Sequence, residues 1–158
     1  MSGKSLAVAQ YILDLCKETK DPAVTPMQLL KLVYIAHGHM LGEKGVPLLD
    51  EEIQAWQYGP VVPTVYQAIR KYRSMPVKEV EGSSRWGGDF SETEKAIMKK
   101  TVKMYASFDG VTLSAATHRP GTPWSLTWGS SGMNSPIPND LIEHFYKKNL
   151  SQAKYSSL

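Results

Sequence analysis

The chain has 158 residues, of which 42% are hydrophobic and 21% charged, and a formal net charge of +3. Those proportions match a globular chain and exclude a disordered or fibrous one, and the length suits one domain with a single core. The single cysteine, Cys16, excludes an intrachain disulfide and a cysteine-based zinc site and points to a reducing, cytoplasmic setting, while the mildly basic balance permits contact with nucleic acid or acidic partners without requiring it.

The first amphipathic segment, residues 5–17, sets Leu6, Ala9, Ile12, Leu13 and Cys16 on one helical stripe. Gln10, Tyr11 and Asp14 interrupt its apolar stretch and no small-residue cleavage site follows, so it reads as a folded helix and not as a signal peptide. Nowhere does an apolar run approach the roughly 18 residues of a membrane span. Asp21-Pro22 breaks the chain, and Thr25-Pro26 restarts it as an N-cap followed by a proline at the first helical position. The helix that follows, Pro26 to Leu41, is apolar nearly all round and is expected to be the central, most buried element. Gly38 and Gly42 lie four apart, a notch where another element can approach closely, although Gly42 equally suits a C-terminal stop.

Beyond Pro47, the residues Ile53, Trp56 and Tyr58 favour a short strand over residues 52–57. Pro60 and Pro63 bracket a third helix start, with Val65, Tyr66, Ile69 and Tyr72 at helical spacing up to about Arg73 and Met75-Pro76 as its end. Residues 77–90 hold valines among Gly and Ser and suggest one or two weak strands around a turn. Ser91 and Glu94 form a capping box for a fourth helix whose apolar side is Ile97, Thr101, Met104, Tyr105 and Phe108. A fifth helix, residues 111–118, runs into a loop at residues 119–124, and a last helix over residues 139–148 buries Leu141, Ile142, Phe145 and Tyr146. The resulting fold class is α+β, mainly α with a small antiparallel β-sheet, with about six helices around the central one. Residues 1–150 form one domain and residues 151–158 a frayed tail.

No spacing in the chain supplies catalytic or metal chemistry. Cys16 lies on the apolar stripe, where cysteine behaves as a small hydrophobe. His37 and His39, two apart on a helix, diverge, and His118 and His144 complete no metal set. Gly87-Gly88 lacks the lysine and hydroxyl of a phosphate loop, and the adjacent carboxylates Glu51 and Glu52 point apart. The sequence therefore reads as a non-enzymatic binding module with no metal set and no phosphate-binding loop.

Two surfaces remain as binding candidates. Lys95, Lys99, Lys100 and Lys103 line one side of the fourth helix and suit phosphate contact, or simply a solvated face. The segments AWQYGPVVP and THRPGTPW concentrate aromatic and proline residues that suit protein contact, or else pin loops to the core.

Three blocks, TPMQLLKLVYIAHGHML (residues 25–41), EEIQAWQYGPVVPTVYQAIRKY (residues 51–72) and LSAATHRPGTPW (residues 113–124), resemble the Panacea, or SocA-like, antitoxin domain, over residues 7–145 in all. The pattern falls on Leu29, Lys31, Leu32 and Tyr34; on Ala55, Trp56, Tyr58, Gly59, Pro60 and Val61; and on Thr117, His118, Pro123 and Trp124. The middle block is the specific one, and the proline-rich 119–122 segment departs from a loop that is usually more acidic or glycine-containing. The resemblance implies a mostly helical fold with a small sheet, no cofactor, and an antitoxin, often carried on prophages or other mobile elements, that neutralises a cognate toxin encoded next to it. The aromatic and proline segments make Trp56, Tyr58, Gly59, Pro60, His118 and Trp124 the expected partner contacts, and the resemblance implies, for one branch, delivery of the toxin to the ClpXP protease. A nucleic-acid-binding regulator using Lys95, Lys99 and Lys103 is the alternative.

Overall fold

A computed structural model describes residues 3–19 and 23–151. The Asp21-Pro22 break and the tail beyond Ser151 lie outside those residues. The described elements are α1 (Lys4–Lys17), α2 (Pro26–Lys44), β1 (Ile53–Trp56), β2 (Gly59–Val61), α3 (Pro63–Ile69) with a 3-10 turn at Arg70–Tyr72, α4 (Glu92–Tyr105), α5 (Gly110–His118), α6 (Pro123–Ser131), β3 (Ser135–Ile137) and α7 (Asn139–Ser151). The fold is α+β, with seven helices among the described residues and a three-stranded antiparallel sheet of order β2-β1-β3.

α2 is the axis of the core. Thr25 Oγ1 accepts from Gln28 N, Pro26 needs no donor partner at N1, and residues 28–42 are buried without interruption. It is packed by α1, α4, α5 and α7. Gly42 is interior, and the helix runs on to end at Gly45 in the left-handed conformation (φ 72°). The notch at Gly38 and Gly42 is occupied by α7: a Cβ on Gly38 would stand 2.3 Å from the Tyr146 ring, and one on Gly42 would stand 2.9 Å from the Tyr146 backbone. Only glycine admits that approach.

Two buried histidines tie α2 to its surroundings. His37 Nδ1 accepts from Leu48 N at 3.3 Å and Leu49 N at 3.1 Å, so the proton sits on Nε2, which lies 3.0 Å from Asn139 Oδ1 at the start of α7. His39 lies 3.4 Å from both Thr101 Oγ1 and Tyr105 Oη of α4. Burial pushes both imidazoles down to about 4, so they are neutral parts of the core.

Several expectations need correction. Residues 77–90 contain no strand; Val77 N bonds Val24 O at 2.7 Å, Val80 N bonds Gln10 Oε1 at 2.7 Å, and a 3-10 turn covers Ser83–Arg85. These valines attach the segment to α1 and to the entry of α2 instead of to a sheet. The second and third strands are β2 and β3, three residues each, too short to show alternation in sequence. The expected loop at residues 119–124 runs directly into α6, whose N-cap is Thr122 and whose first residue is Pro123, repeating the Thr25-Pro26 arrangement. On α4 the capping box is present, but Met104 is 40% exposed and Met98 and Val102 complete the buried side.

Candidate functional site

The β1–β2 hairpin has only two residues, Gln57 and Tyr58, in its turn, and Gly59 follows at φ 121°. Its carbonyls are held by side chains from three helices. Lys31 Nζ of α2 donates to Pro60 O at 3.0 Å, Ser114 Oγ of α5 donates to Tyr58 O at 2.5 Å, and Trp124 Nε1 of α6 donates to Trp56 O at 2.6 Å. The backbone of Asn134 adds a bond to Ala55 O at 2.7 Å on the β3 side. A Cβ on Gly59 would meet Lys31 Nζ at 3.0 Å and Thr117 Oγ1 at 3.4 Å, in a conformation that L residues rarely adopt. Pro60 is tolerated because β2 is an edge strand.

The six sequence-nominated residues come together around this hairpin, with unequal access to solvent. Gly59, Pro60 and Trp124 are buried, and the Trp124 ring stacks on Trp128 with centroids 5.0 Å apart. His118 is half-buried, edge-on to Trp124 at 5.2 Å, with Nδ1 in a short contact to Ser114 O. Trp56 is half-buried, its Nε1 donating to Gln54 Oε1 at 2.9 Å and its ring edge-on to Tyr66 at 4.9 Å. Tyr58 is 62% exposed. Gly59, Pro60 and Trp124 thus set the shape of the hairpin, while Tyr58 and the open edges of Trp56 and His118 are what another molecule can touch.

Sequence reasoning placed Lys31 in the family pattern but gave the most unusual member of the group no role in the site. Lys31 is 2% exposed, the only buried lysine or arginine among the described residues, and burial pushes its ammonium down to about 7. Its signal in the sequence was a single lysine inside an otherwise apolar helix. A groove of about 360 Å³ opens beside it, with Pro26, Met27, Leu30, Trp56, Tyr58 and Tyr66 in its walls and Arg73 also lining it.

The lysine side of α4 is less uniform than its spacing suggests. Lys95 lies 3.5 Å from Glu92 and Lys100 lies 3.0 Å from Glu43, whereas Lys99 and Lys103 are exposed. Cys16 is buried, and burial raises its thiol to about 11, which keeps it protonated and unreactive. Among the described residues no group of three or more His, Cys, Asp or Glu side chains could hold a metal ion, and no helix is long and apolar enough to cross a membrane.

Residues 29–125, which contain α2 from its second turn, the hairpin, and α5 up to the start of α6, match the family model described as antitoxin SocA-like, Panacea domain. The chain is also 31% identical over 140 residues to antitoxin SocA of Caulobacter vibrioides (strain NA1000 / CB15N), covering 81% of this chain and 72% of that protein. No solved structure matches. The matched region carries the buried lysine, the hairpin it supports and the tryptophan that closes the hairpin from behind, and on that match the chain belongs to the antitoxin SocA-like, Panacea domain family.

Proposed function

We propose that this chain is an antitoxin that neutralises a partner toxin by direct binding, through the face made by Tyr58, the open edges of Trp56 and His118, and the groove beside them. The observation that carries this reading is the match to an antitoxin over most of both chains. Tyr58 supports the placement of the contact: a large aromatic side chain 62% exposed at the tip of a hairpin fixed from three helices is a rigid anchor that loses little entropy on binding. The lysine face of α4 receives less support as a nucleic-acid surface, because two of its four ammonium groups lie beside carboxylates.

Co-expression with the product of the adjacent reading frame tests the proposal. Growth is expected to be arrested by that product alone, restored by the wild-type chain, and not restored by Tyr58→Asp, a change at an exposed position that leaves the fold intact. Failure of the wild-type chain to restore growth, or to bind a product that is toxic, removes the reading. Delivery to ClpXP is the second form of the same function. It predicts that the toxin disappears faster when this chain is present and only in cells with an active ClpX, whereas occlusion leaves the toxin level unchanged.

A further inference from the structure

The groove between the first turns of α2, the hairpin and α3 has a volume of about 360 Å³ and apolar and aromatic walls, from Met27, Leu30, Trp56, Tyr58, Val61 and Tyr66. The sheet beside it offers an incoming strand little to pair with. β2 and β3 are its edges, and each has a proline as its middle residue, Pro60 and Pro136, with no N–H to give. The Pro60 carbonyl is already taken by Lys31 Nζ at 3.0 Å. An extended segment laid in the groove would therefore press its own backbone N–H and C=O groups against apolar walls, whereas a helix satisfies its backbone internally and presents only side chains. The open area also bears on what can fill the groove. Tyr58 is 62% exposed and Met27 36%, and Trp56 and Tyr66 are half-buried. At about 200 Å² for a whole side chain, these four leave roughly 300 Å² open. A stable interface between two folded surfaces buries about 800 Å² on each side, so this face is sized for a short segment and not for a second copy of the chain.

We infer that this groove takes the apolar face of a short helix from the partner polypeptide. Side chains at positions i, i+3 or i+4, and i+7 of that helix lie against Met27, Leu30, Trp56 and Tyr66, with Tyr58 flanking them from the hairpin tip. The helix adds no strand to the sheet and needs no buried polar partner from the groove.

That the helix belongs to the partner rests on the antitoxin reading, but the preference of the groove can be tested without a toxin. The full chain is titrated with three model peptides of about 15 residues: a lactam-bridged helix with three leucines on one face, a bridged helix of the same composition with the leucines spread around it, and an extended peptide alternating valine and threonine. Binding is followed by the Trp56 indole signal and the Met27 and Leu30 methyl signals in NMR. The expected result is saturable binding of the leucine-faced helix with a Kd on the order of 0.1–1 mM, about tenfold weaker for the scattered helix and absent for the extended peptide. Met27→Glu places a carboxylate in the first turn of α2, where the helix dipole favours it, and is expected to weaken the leucine-faced helix about tenfold while the Tm holds. Equal binding of the two helices, preference for the extended peptide, or no binding of the leucine-faced helix would each overturn the inference. So would shifts of the same signals with concentration in the chain alone, which would put a second copy in the groove. A chain that binds the leucine-faced helix selectively but fails to restore growth would count against the antitoxin reading and leave the helix site standing, and one that restores growth without that selectivity would do the reverse.

Discussion

Lys31 contributes most to stability when it is neutral. Its ammonium titrates at about 7 in the folded chain against an ordinary value of 10.5, so the unfolded state holds the proton more tightly and stability rises as pH goes from about 7 towards 10.5. Lys31→Met removes the buried charge but leaves Pro60 O without its donor, a loss of about 1 kcal/mol. The net expectation at pH 7 is a gain of about 1–2 kcal/mol, read from denaturant midpoints, with the gap between variant and wild type closing as pH approaches 10. A variant less stable than wild type at pH 7 would mean that the ammonium is well satisfied where it lies. Gly59→Ala is expected to act in the opposite direction. It forces a Cβ to within 3.0 Å of Lys31 Nζ at φ 121°, at a cost of about 1–3 kcal/mol, and it should disturb the Trp56 indole signal because both residues belong to one hairpin register. Neither effect was legible in the sequence. A lysine in an apolar helix ordinarily extends its head to solvent, and only the arrival of the hairpin carbonyl over α2 keeps this one inside.

At the scale of elements, the contact of α7 with α2 depends on two glycines. Gly38→Ala places a methyl group 2.3 Å from the Tyr146 ring, which cannot move far because the His39 ring lies 5.5 Å away on its other contact. The expected loss is about 3 kcal/mol or more, measured by thermal or denaturant unfolding. Gly129→Ala, on α6 with nothing within 4 Å of the new Cβ, is expected to be neutral or stabilising by up to about 1 kcal/mol, which separates close packing from helix propensity. The helices with an apolar stripe or a marked start could be read directly. The Thr25-Pro26 start, the Ser91–Glu94 box and the stripe of α1 all reappear in the structure. α6 escaped although Thr122-Pro123 carries the same start signature as Thr25-Pro26, because the residues after it, WSLTWGSS, show no clear amphipathic stripe. β2 and β3 escaped for a different reason: their pairing is decided by β1 between them and by side chains from α2, α5 and α6, none of them local in sequence. The site was legible as far as the aromatic hairpin and the tryptophan behind it, but which side chains reach solvent depended on the packing of the whole chain.

Across the whole molecule, two neutral histidines link the central helix to α4, to α7 and to the segment after α2. Both titrate at about 4 when folded against 6.5 ordinarily. Protonation therefore favours the unfolded chain, and the contribution of these residues is complete above pH 6.5 and is lost as pH falls from 6.5 towards 4. The loss approaches about 3 kcal/mol for each at the acid limit, so circular dichroism should show unfolding in that window. His39→Gln should shift the transition to lower pH, because one of the two protons taken up on unfolding is then missing. The same core carries the hairpin that presents Tyr58, held by hydrogen bonds from α2, α5 and α6. The direct test of neutralisation by contact at this face is calorimetric titration of the purified chain into the adjacent gene's product. The account predicts a saturable complex whose Kd rises by about thirtyfold in Tyr58→Ala, the effect of an anchor worth about 2 kcal/mol, and is unchanged in the Lys99→Glu, Lys103→Glu double variant. Growth rescue without any complex, or a complex lost in the lysine variant and kept in Tyr58→Ala, would contradict it.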